Sequence, residues 1–579
     1  MTRNLSRNGK WAAIALLGLL MALCLFGLRF NSPTSDEQNH ISRGYHYLVT
    51  GKLDLNVAPP FVNALSAVPL LFHRGITIPH YDLSHTKSYI VQFADEFVWV
   101  YNDAETIINS SRLMTILLSL VLGYFVFRWA RDLWGPSGAV LALFLYVLDP
   151  NILAHSQLVT TDLGVAGMIF VATYFLWRFL RWRRVSDLLL AGLVLGLAQA
   201  TKLSALLLLP IFAVIVLLEA FLLRDLSVPP AVGKRLSFSG ERWPHALKFC
   251  CLLLLVLFAL AFLSLWASYR FDAAPLSTPQ ARHATVDRLL PDGWLRQMGY
   301  FAIERIPIPF PMYLRGLLWL RDYAETGAPA FLMGQYSTKG WWYYFLIALA
   351  IKTPLPTLIL LAGAVLLSIR RGCDRARREY VLYVPVVAYF LVTFFHFLNI
   401  GYRHILPVLP FCFVAAGKLA VWARERWSQA PRGGSRDVAA LAALCLWCVI
   451  GSARIYPHYL AYFNELVGGP DNGYKYLVDS NLDWGQDLRN LKVYMQQNGL
   501  EHIHLGYFGS AHVDYYGIKA DPLPMNKPED LGKRPPAVYA ISATYLQGGY
   551  LGNREAFSWL RSYQPFAKIG YSIFVYRLP

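Results

Sequence analysis

Apolar runs of about 20 residues recur along this 579-residue chain, and no other feature restricts its fold so strongly. In hydrocarbon every backbone N–H and C=O must find a partner within the protein, so runs of that length read as membrane-spanning helices. Composition agrees: 56% of the residues are hydrophobic and 15% charged, against roughly a quarter charged in soluble domains. A net charge of +17 would suit a nucleic-acid ligand. The basic residues, however, gather at the ends of apolar runs: Arg178, Arg181, Arg183 and Arg184; Arg370, Arg371, Arg375, Arg377 and Arg378; Arg424 and Arg426. That is a positive-inside distribution, and no nucleic-acid partner is expected. Six of the seven cysteines lie in or beside apolar runs, so neither a disulfide framework nor a zinc pattern follows.

The first apolar stretch, 11–30, follows Arg3, Arg7 and Lys10 and ends without a small-x-small cleavage pattern, so it reads as an uncleaved span. With the N-terminus inside, further crossings fall at 107–127, 137–153, 163–180, 188–200, 203–223, 246–268, 341–369, 380–397, 405–423 and 438–453. Eleven crossings leave every Arg-rich loop inside and the C-terminus outside. The expected fold is therefore a polytopic α-helical membrane module over 1–454, with a small extracytoplasmic α/β domain over 455–579. The outer loops 31–106 and 269–339 are too long to be mere connectors. The run 341–369 is too long for one straight span, and Lys352-Thr-Pro354-Leu-Pro356 predicts a kink in it. In the C-terminal domain the pattern predicts a helix over 487–498 and strands over 502–508, 537–542 and 567–576.

Charges near a bilayer are costly, so their placement is informative. On this topology Asp36 and Glu37 follow the first span, Arg112 sits in the first turns of the second, and Asp162 opens the fourth. Lys202 tips an outer hairpin, and Arg403 and His404 stand at the outer end of the tenth span. All lie on one face. A sugar carried on a lipid phosphate needs this combination: cations for the departing phosphate, a carboxylate for the acceptor's proton, and apolar walls for the tail. Each residue also has a plainer reading. Asp162 would cap a helix, Arg112, Lys202 and Arg403 would snorkel to headgroups, and the acidic pair would be solvated surface. Lys352, inside the interrupted helix, is expected to face the cavity and an anion. A second acidic pair, Asp95-Glu96, rivals Asp36-Glu37 from mid-loop.

Several motifs recur in a fixed order: Asp36-Glu-Gln-Asn-His40, Pro59-Pro60, Ser111-Arg-Leu113, Thr160-Thr-Asp-Leu-Gly164, Gly196-Leu-Ala-Gln-Ala-Thr-Lys202 and Arg403-His-Ile-Leu-Pro407. With them the chain resembles the bacterial polyprenyl-phosphate-sugar-dependent glycosyltransferases of the GT-C membrane fold, relatives of protein O-mannosyltransferases and of aminoarabinose transferases. The stretch Asp479-Ser-Asn-Leu-Asp-Trp-Gly-Gln-Asp487 looks like a C-terminal signature of bacterial members. The resemblance implies an inner-membrane enzyme with Asp36 as base, aided by Glu37 and Asp162. Arg112, Lys202 and Arg403 would hold the donor phosphate; the residue reading adds Lys352 and His404 to that set. The resemblance further implies a polyprenyl-phosphate sugar donor and a protein, lipid or glycan acceptor, with inversion at the anomeric carbon. His404 departs from the family, where a tyrosine is usual. No cofactor is required, although the acidic residues leave a divalent metal open. Asp479, Asp483, Trp484 and Asp487 carry two readings. In one, Asp483 caps the next helix and Trp484 packs beneath it; in the other, Trp484 stacks on the acceptor. A lipid-linked-sugar transporter or flippase is the competing class, because broken helices are a transporter feature and Lys352-Thr-Pro354 is such a break.

Overall fold

Among the described residues of the computed structural model, seven helices are long and apolar enough to cross a membrane: Gly9–Gly27, Ala104–Leu148, Thr161–Trp182, Leu203–Ala220, Ala246–Ser268, Tyr402–Gln429 and Gly433–Ile455. The structure describes residues 7–55, 58–80, 88–222, 243–276, 286–287, 291–370, 373–394, 398–523 and 537–578. The 45-residue helix Ala104–Leu148 is two expected spans joined at Gly135, whose φ of 79° and ψ of −170° break the helix just before Pro136. Two shorter apolar helices, Val185–Gln199 and Glu379–Thr393, fall where two more spans are expected. The fold is a polytopic helical bundle carrying a small sheet domain.

The run over 341–369 differs from expectation. It is not one kinked helix but two, Tyr344–Lys352 and Leu355–Arg370, bent by 113°. Pro354 and Pro356 remove two backbone donors within three residues, and residues before proline are pushed out of the helical region, so the break is complete rather than a kink.

Small residues let the helices approach closely. A Cβ at Gly192 would meet Leu260, and one at Gly196 would collide with the Ala261 carbonyl, so Val185–Gln199 lies directly on Trp243–Ser268. This is the small-xxx-small packing of membrane helices.

The long segment after the first span folds into helices Glu37–Thr50, Phe61–Ala67 and Ser88–Asp95, closed by their own core of Ile41, Leu70, Phe97 and Ile107. These helices lie on the same face of the bundle as the C-terminal residues, here termed the domain face.

In the C-terminal region a five-stranded mixed sheet runs in the order 520–522, 503–506, 537–542, 573–578, 567–569. The first three strands are parallel and the last two pairings antiparallel. Leu488–Gln497 is amphipathic and buries Leu488, Leu491 and Met495 on the sheet. The single strand expected over 567–576 is a hairpin, Ala567–Ile569 and Ile573–Leu578, because Gly570 (φ 57°) and Tyr571 (φ 64°) turn the chain. The edge strand Ala520–Pro522 has no counterpart among the expected elements. Residues 455–487 do not form part of the sheet; Tyr459, Phe463, Leu477 and Trp484 pack into the same core as the spans.

Candidate active site

Five of the sequence-predicted residues converge on the domain face. Asp36 stands at the N-terminus of Glu37–Thr50, where the chain leaves the first span. Arg403 donates to its Oδ2 at 2.9 Å and lies 3.8 Å from Asp162 Oδ2. Lys202, at the tip of its hairpin, donates to the other oxygen of Asp162 at 2.5 Å. The order of charges is Asp36–Arg403–Asp162–Lys202, anion and cation alternating. Asp162 occupies the first turn of Thr161–Trp182 but caps nothing; the N-cap is Thr160. The helix dipole favours a carboxylate there. Buried carboxylates at this position need cations, and both are supplied.

Beneath this head opens a cavity of about 420 Å³. Asp162, Lys202, Arg403 and His404 line its polar end; Leu203, Leu206, Leu207, Pro210, Leu320 and Val392 form apolar walls with Tyr389 and Phe345. Tyr389 and Phe345 went unmarked in the sequence, since an aromatic in an apolar helix carries no signal of its own. His404 meets the Phe345 ring edge-on, centroids 6.3 Å apart.

Three expected site residues lie elsewhere. Glu37 is fully buried and faces away from Asp36. Its carboxylate takes Arg112 Nε at 2.8 Å and Nη2 at 2.7 Å, and also accepts from the Thr34 and Val159 amides. The remaining Arg112 donors reach the Asn31 and Ser32 carbonyls. Successive helical residues point about 100° apart, so only one of an adjacent acidic pair can face the cavity. Glu37 and Arg112 thus form a brace between the first two spans rather than a base and a phosphate ligand. Arg112→Met is expected to leave Glu37 buried and unpaired, at a cost of about 3–5 kcal/mol. Thermal unfolding of the purified variant checks this. An unchanged transition together with lost lipid-phosphate affinity would return Arg112 to the site.

Lys352 is buried at the helix break; its hydrogen-bond partners are carbonyls, and the buried Asp149 carboxylate acts on it by charge alone. Nζ donates to the Leu460 carbonyl at 2.8 Å and the Asn481 carbonyl at 2.5 Å, and lies 4.6 Å from the Phe463 ring. It ties the broken helix to the segment 455–487.

The signature 479–487 supports the site from below. The Trp484 ring is 2% exposed and lies 4.2 Å from the Arg403 guanidinium, so its face is taken by a cation rather than open to an acceptor. Gly485, at φ 91°, lets the chain turn after it; a Cβ there would come within 2.8 Å of the Tyr507 hydroxyl. Trp484 and Gln486 carbonyls accept from the Ser35 and Ser32 amides at 3.1 and 2.8 Å, so the signature fixes the chain leading to Asp36. Asn481 accepts from the Tyr402 amide, beside Arg403, at 2.8 Å. Asp483 does not cap the helix that follows it, whose N-cap position is Asp487; it accepts instead from the Thr544 amide at 2.9 Å. Asp487 holds Ser572, Asn490 and Gln486 side chains. The rival pair Asp95-Glu96 is spoken for: Asp95 meets His512 at 2.9 Å and Glu96 meets Gln92 at 2.8 Å.

No group of three or more His, Cys, Asp or Glu side chains that could hold a metal occurs among the described residues. Asp36 and Asp162 face each other across the shared Arg403, while Glu37 is drawn away by Arg112.

Burial pushes the Asp483 carboxyl up to about 7, with the Thr544 contacts working against it. An unfolded aspartate titrates near 3.9, so the folded state binds this proton more tightly and stability falls as pH rises between about 4 and 7. Asp483→Asn removes the titration. Its stability relative to the parent protein is expected to rise by up to about 1.4 kcal/mol per pH unit across that window. Melting curves at pH 5 and pH 8 measure it, and a constant difference would refute the assignment.

Residues 105–231 match the family model described as dolichyl-phosphate-mannose-protein mannosyltransferase. That stretch includes Arg112, Asp162 and Lys202 but neither Asp36 nor Arg403. No curated protein matches the chain in sequence. Among solved structures, ArnT from Cupriavidus metallidurans bound to undecaprenyl phosphate is 13% identical, with a TM-score of 0.44 and coverage of 97% of each chain. The archaeal oligosaccharyltransferase AglB from Archaeoglobus fulgidus, in complex with an inhibitory peptide and a dolichol-phosphate, is 12% identical, with a TM-score of 0.47. That match covers 93% of this chain and 71% of AglB. Over residues 105–231, the chain is therefore similar to the dolichyl-phosphate-mannose-protein mannosyltransferase family.

Proposed function

We propose that this chain is a glycosyltransferase that moves a sugar from a polyprenyl-phosphate-linked donor to an acceptor at the domain face, in the inner membrane of a bacterium. The observation that carries the reading is the alternating Asp36–Arg403–Asp162–Lys202 head on an apolar cavity of about 420 Å³. The lipid tail takes the Leu and Pro walls, and its phosphate meets Lys202 and Arg403. Both cations stabilise the charge that grows on the phosphate as the sugar leaves.

Asp36 is the base. Burial raises its carboxyl, but the Arg403 charge beside it, with His40, brings the net value below the usual aspartate range, so it is ionised at neutral pH. An acceptor hydroxyl oxygen attacks the anomeric carbon, the carbon–oxygen bond to the phosphate breaks, and the hydroxyl proton passes to Asp36. One displacement inverts that carbon. A phosphate bound at Arg403 competes with Asp36 for its charge, so donor binding makes Asp36 a stronger base. Asp162 keeps both cations oriented.

In this reading residues 1–454 form the catalytic module, and 455–579 an outer domain that braces it. The N-terminus is cytoplasmic and the C-terminus extracytoplasmic. A reporter active only outside the cytoplasm is expected to work when fused after Pro579 and to stay silent after Arg377. The reverse pattern would turn the site to the wrong side.

The second reading, a flippase for the lipid-linked sugar, draws on the 113° helix break. Against it, Lys352 at that break is sealed by two backbone carbonyls. Reconstituted protein, given radiolabelled polyprenyl-phosphate sugars and a cell-envelope extract, is expected to transfer label to an acceptor identified by mass spectrometry. Transbilayer movement of the label with no transfer would establish the flippase instead.

A further inference from the structure

A second cavity, of about 240 Å³, lies on the domain face. Three distant segments build it: the hairpin Ala330–Leu332 with Gln335–Ser337, the loop 399–400 just before Arg403, and the turn 548–554. Asp479 of the signature forms its floor. The two cavities flank one loop, because Asn399 and Ile400 line this one while Arg403 and His404 line the lipid cavity. Tyr344 and Phe345, adjacent in sequence, divide between them in the same way.

The lining has a definite chemistry. Asp479 holds a left-handed backbone at φ 58°, and so does Tyr550 at φ 61°, which for a tyrosine is strained. That pairing brings the Tyr550 hydroxyl onto the Asp479 carboxylate. The Tyr550 ring stacks on Phe508, centroids 5.3 Å apart, and stays 46% exposed. Arg554 sits 4.9 Å above the Tyr336 ring. Gly548, Gly549 and Gly552 present bare backbone along one wall. A carboxylate that only accepts, aromatic faces of negative potential and a guanidinium that only donates suit a small ring with hydroxyls at its rim and C–H bonds on its face.

We infer that this cavity binds a saccharide, the sugar of the acceptor, with Asp479 accepting from its hydroxyls, the exposed Tyr550 ring against its face and Arg554 donating at its rim. The inference rests on the glycosyltransferase reading. It makes the acceptor a glycan or glycolipid rather than a protein serine or threonine. The lipid-linked sugar and the acceptor sugar then approach Asp36 and Arg403 from opposite sides of the loop 398–404. Arg403 reaches both: its charge acts on Asp479 as well as on Asp36.

The test uses the full chain in nanodiscs saturated with undecaprenyl phosphate. Methyl glucoside, methyl mannoside, N-acetylglucosamine and a Ser/Thr-rich peptide are titrated by ligand-observed saturation-transfer NMR. The variants are Asp479→Asn and Gly552→Trp. A Cβ at Gly552 meets no atom within 4 Å, so the indole can fill the cavity mouth without disturbing the fold. At least one saccharide is expected to bind, and both variants are expected to weaken it by about tenfold or more. Undecaprenyl phosphate affinity, measured alongside, should be unchanged in Gly552→Trp. Three results would overturn the inference: no saccharide binding, binding that Gly552→Trp leaves intact, or binding of the peptide alone. Failure of undecaprenyl phosphate to bind the parent protein would instead defeat the glycosyltransferase reading beneath it.

Discussion

Asp36→Asn is expected to lower turnover by about 10²–10⁴-fold in protein that still folds and still binds its lipid donor. The amide oxygen can keep the 2.9 Å contact with Arg403, so the geometry of the head survives and only proton acceptance is lost. Single-turnover transfer and donor binding, measured on the same preparation, separate the two effects. Near-normal turnover in Asp36→Asn with a large loss in Asp95→Asn would move the base to the other pair. The Asp95–His512 contact argues for a different outcome there: Asp95→Asn should disturb how the first long loop meets the C-terminal domain and leave chemistry largely intact.

Arg403→Lys is the second change with a large expected effect. A lysine keeps the positive charge between Asp36 and Asp162, so no buried acid is stranded and the protein should fold. It cannot lie flat at 4.2 Å on Trp484, so it loses the platform that holds Arg403 Nη1 between the two carboxylates. A loss of about 10²–10³-fold in kcat/KM is expected, the scale seen when one donor to a developing anion is removed. Trp484→Phe should reproduce a smaller part of that loss, because it weakens the stacking and leaves the guanidinium in place. Equal activity in Arg403→Lys and the parent protein would mean that a point charge suffices and that the Trp484 platform is incidental.

The membrane fold was legible because hydrocarbon allows so few solutions: long apolar runs, arginines at their ends, and glycine or proline where a run is too long. The same economy made Asp162, Lys202 and Arg403 legible, since charges at a membrane edge are rarely idle. Adjacent residues misled. Asp36 and Glu37 look like one acidic pair, yet the helix turns them apart and gives Glu37 to Arg112, 75 positions away. No local pattern announces such a partner. Lys352 was read as seeking an anion because a buried ammonium needs compensation; Asp149 supplies negative charge nearby, but the hydrogen bonds go to backbone carbonyls 108 and 129 positions away. The signature around Trp484 carried a structural and an acceptor-binding reading, and its contacts favour the structural one. The Trp484 and Gln486 carbonyls hold the chain before Asp36, Asn481 holds the amide of Tyr402, and Asp483 holds the amide of Thr544. Asp479 is the carboxylate of that signature that lines the cavity of about 240 Å³. The 567–576 run hid its turn because Gly-Tyr-Ser is short and the flanking residues have strand character on both sides.

The central claim is that the cavity under Arg403 holds the lipid phosphate and its tail, and photo-crosslinking tests it most directly. A polyprenyl phosphate bearing a diazirine near its head is photolysed with the reconstituted protein, and labelled peptides are mapped by mass spectrometry. Label on residues 203–210 and 389–393, competed by undecaprenyl phosphate and lost in Lys202→Met, is the predicted result. Label spread over the lipid-facing helices, or unaffected by Lys202→Met, would contradict the account.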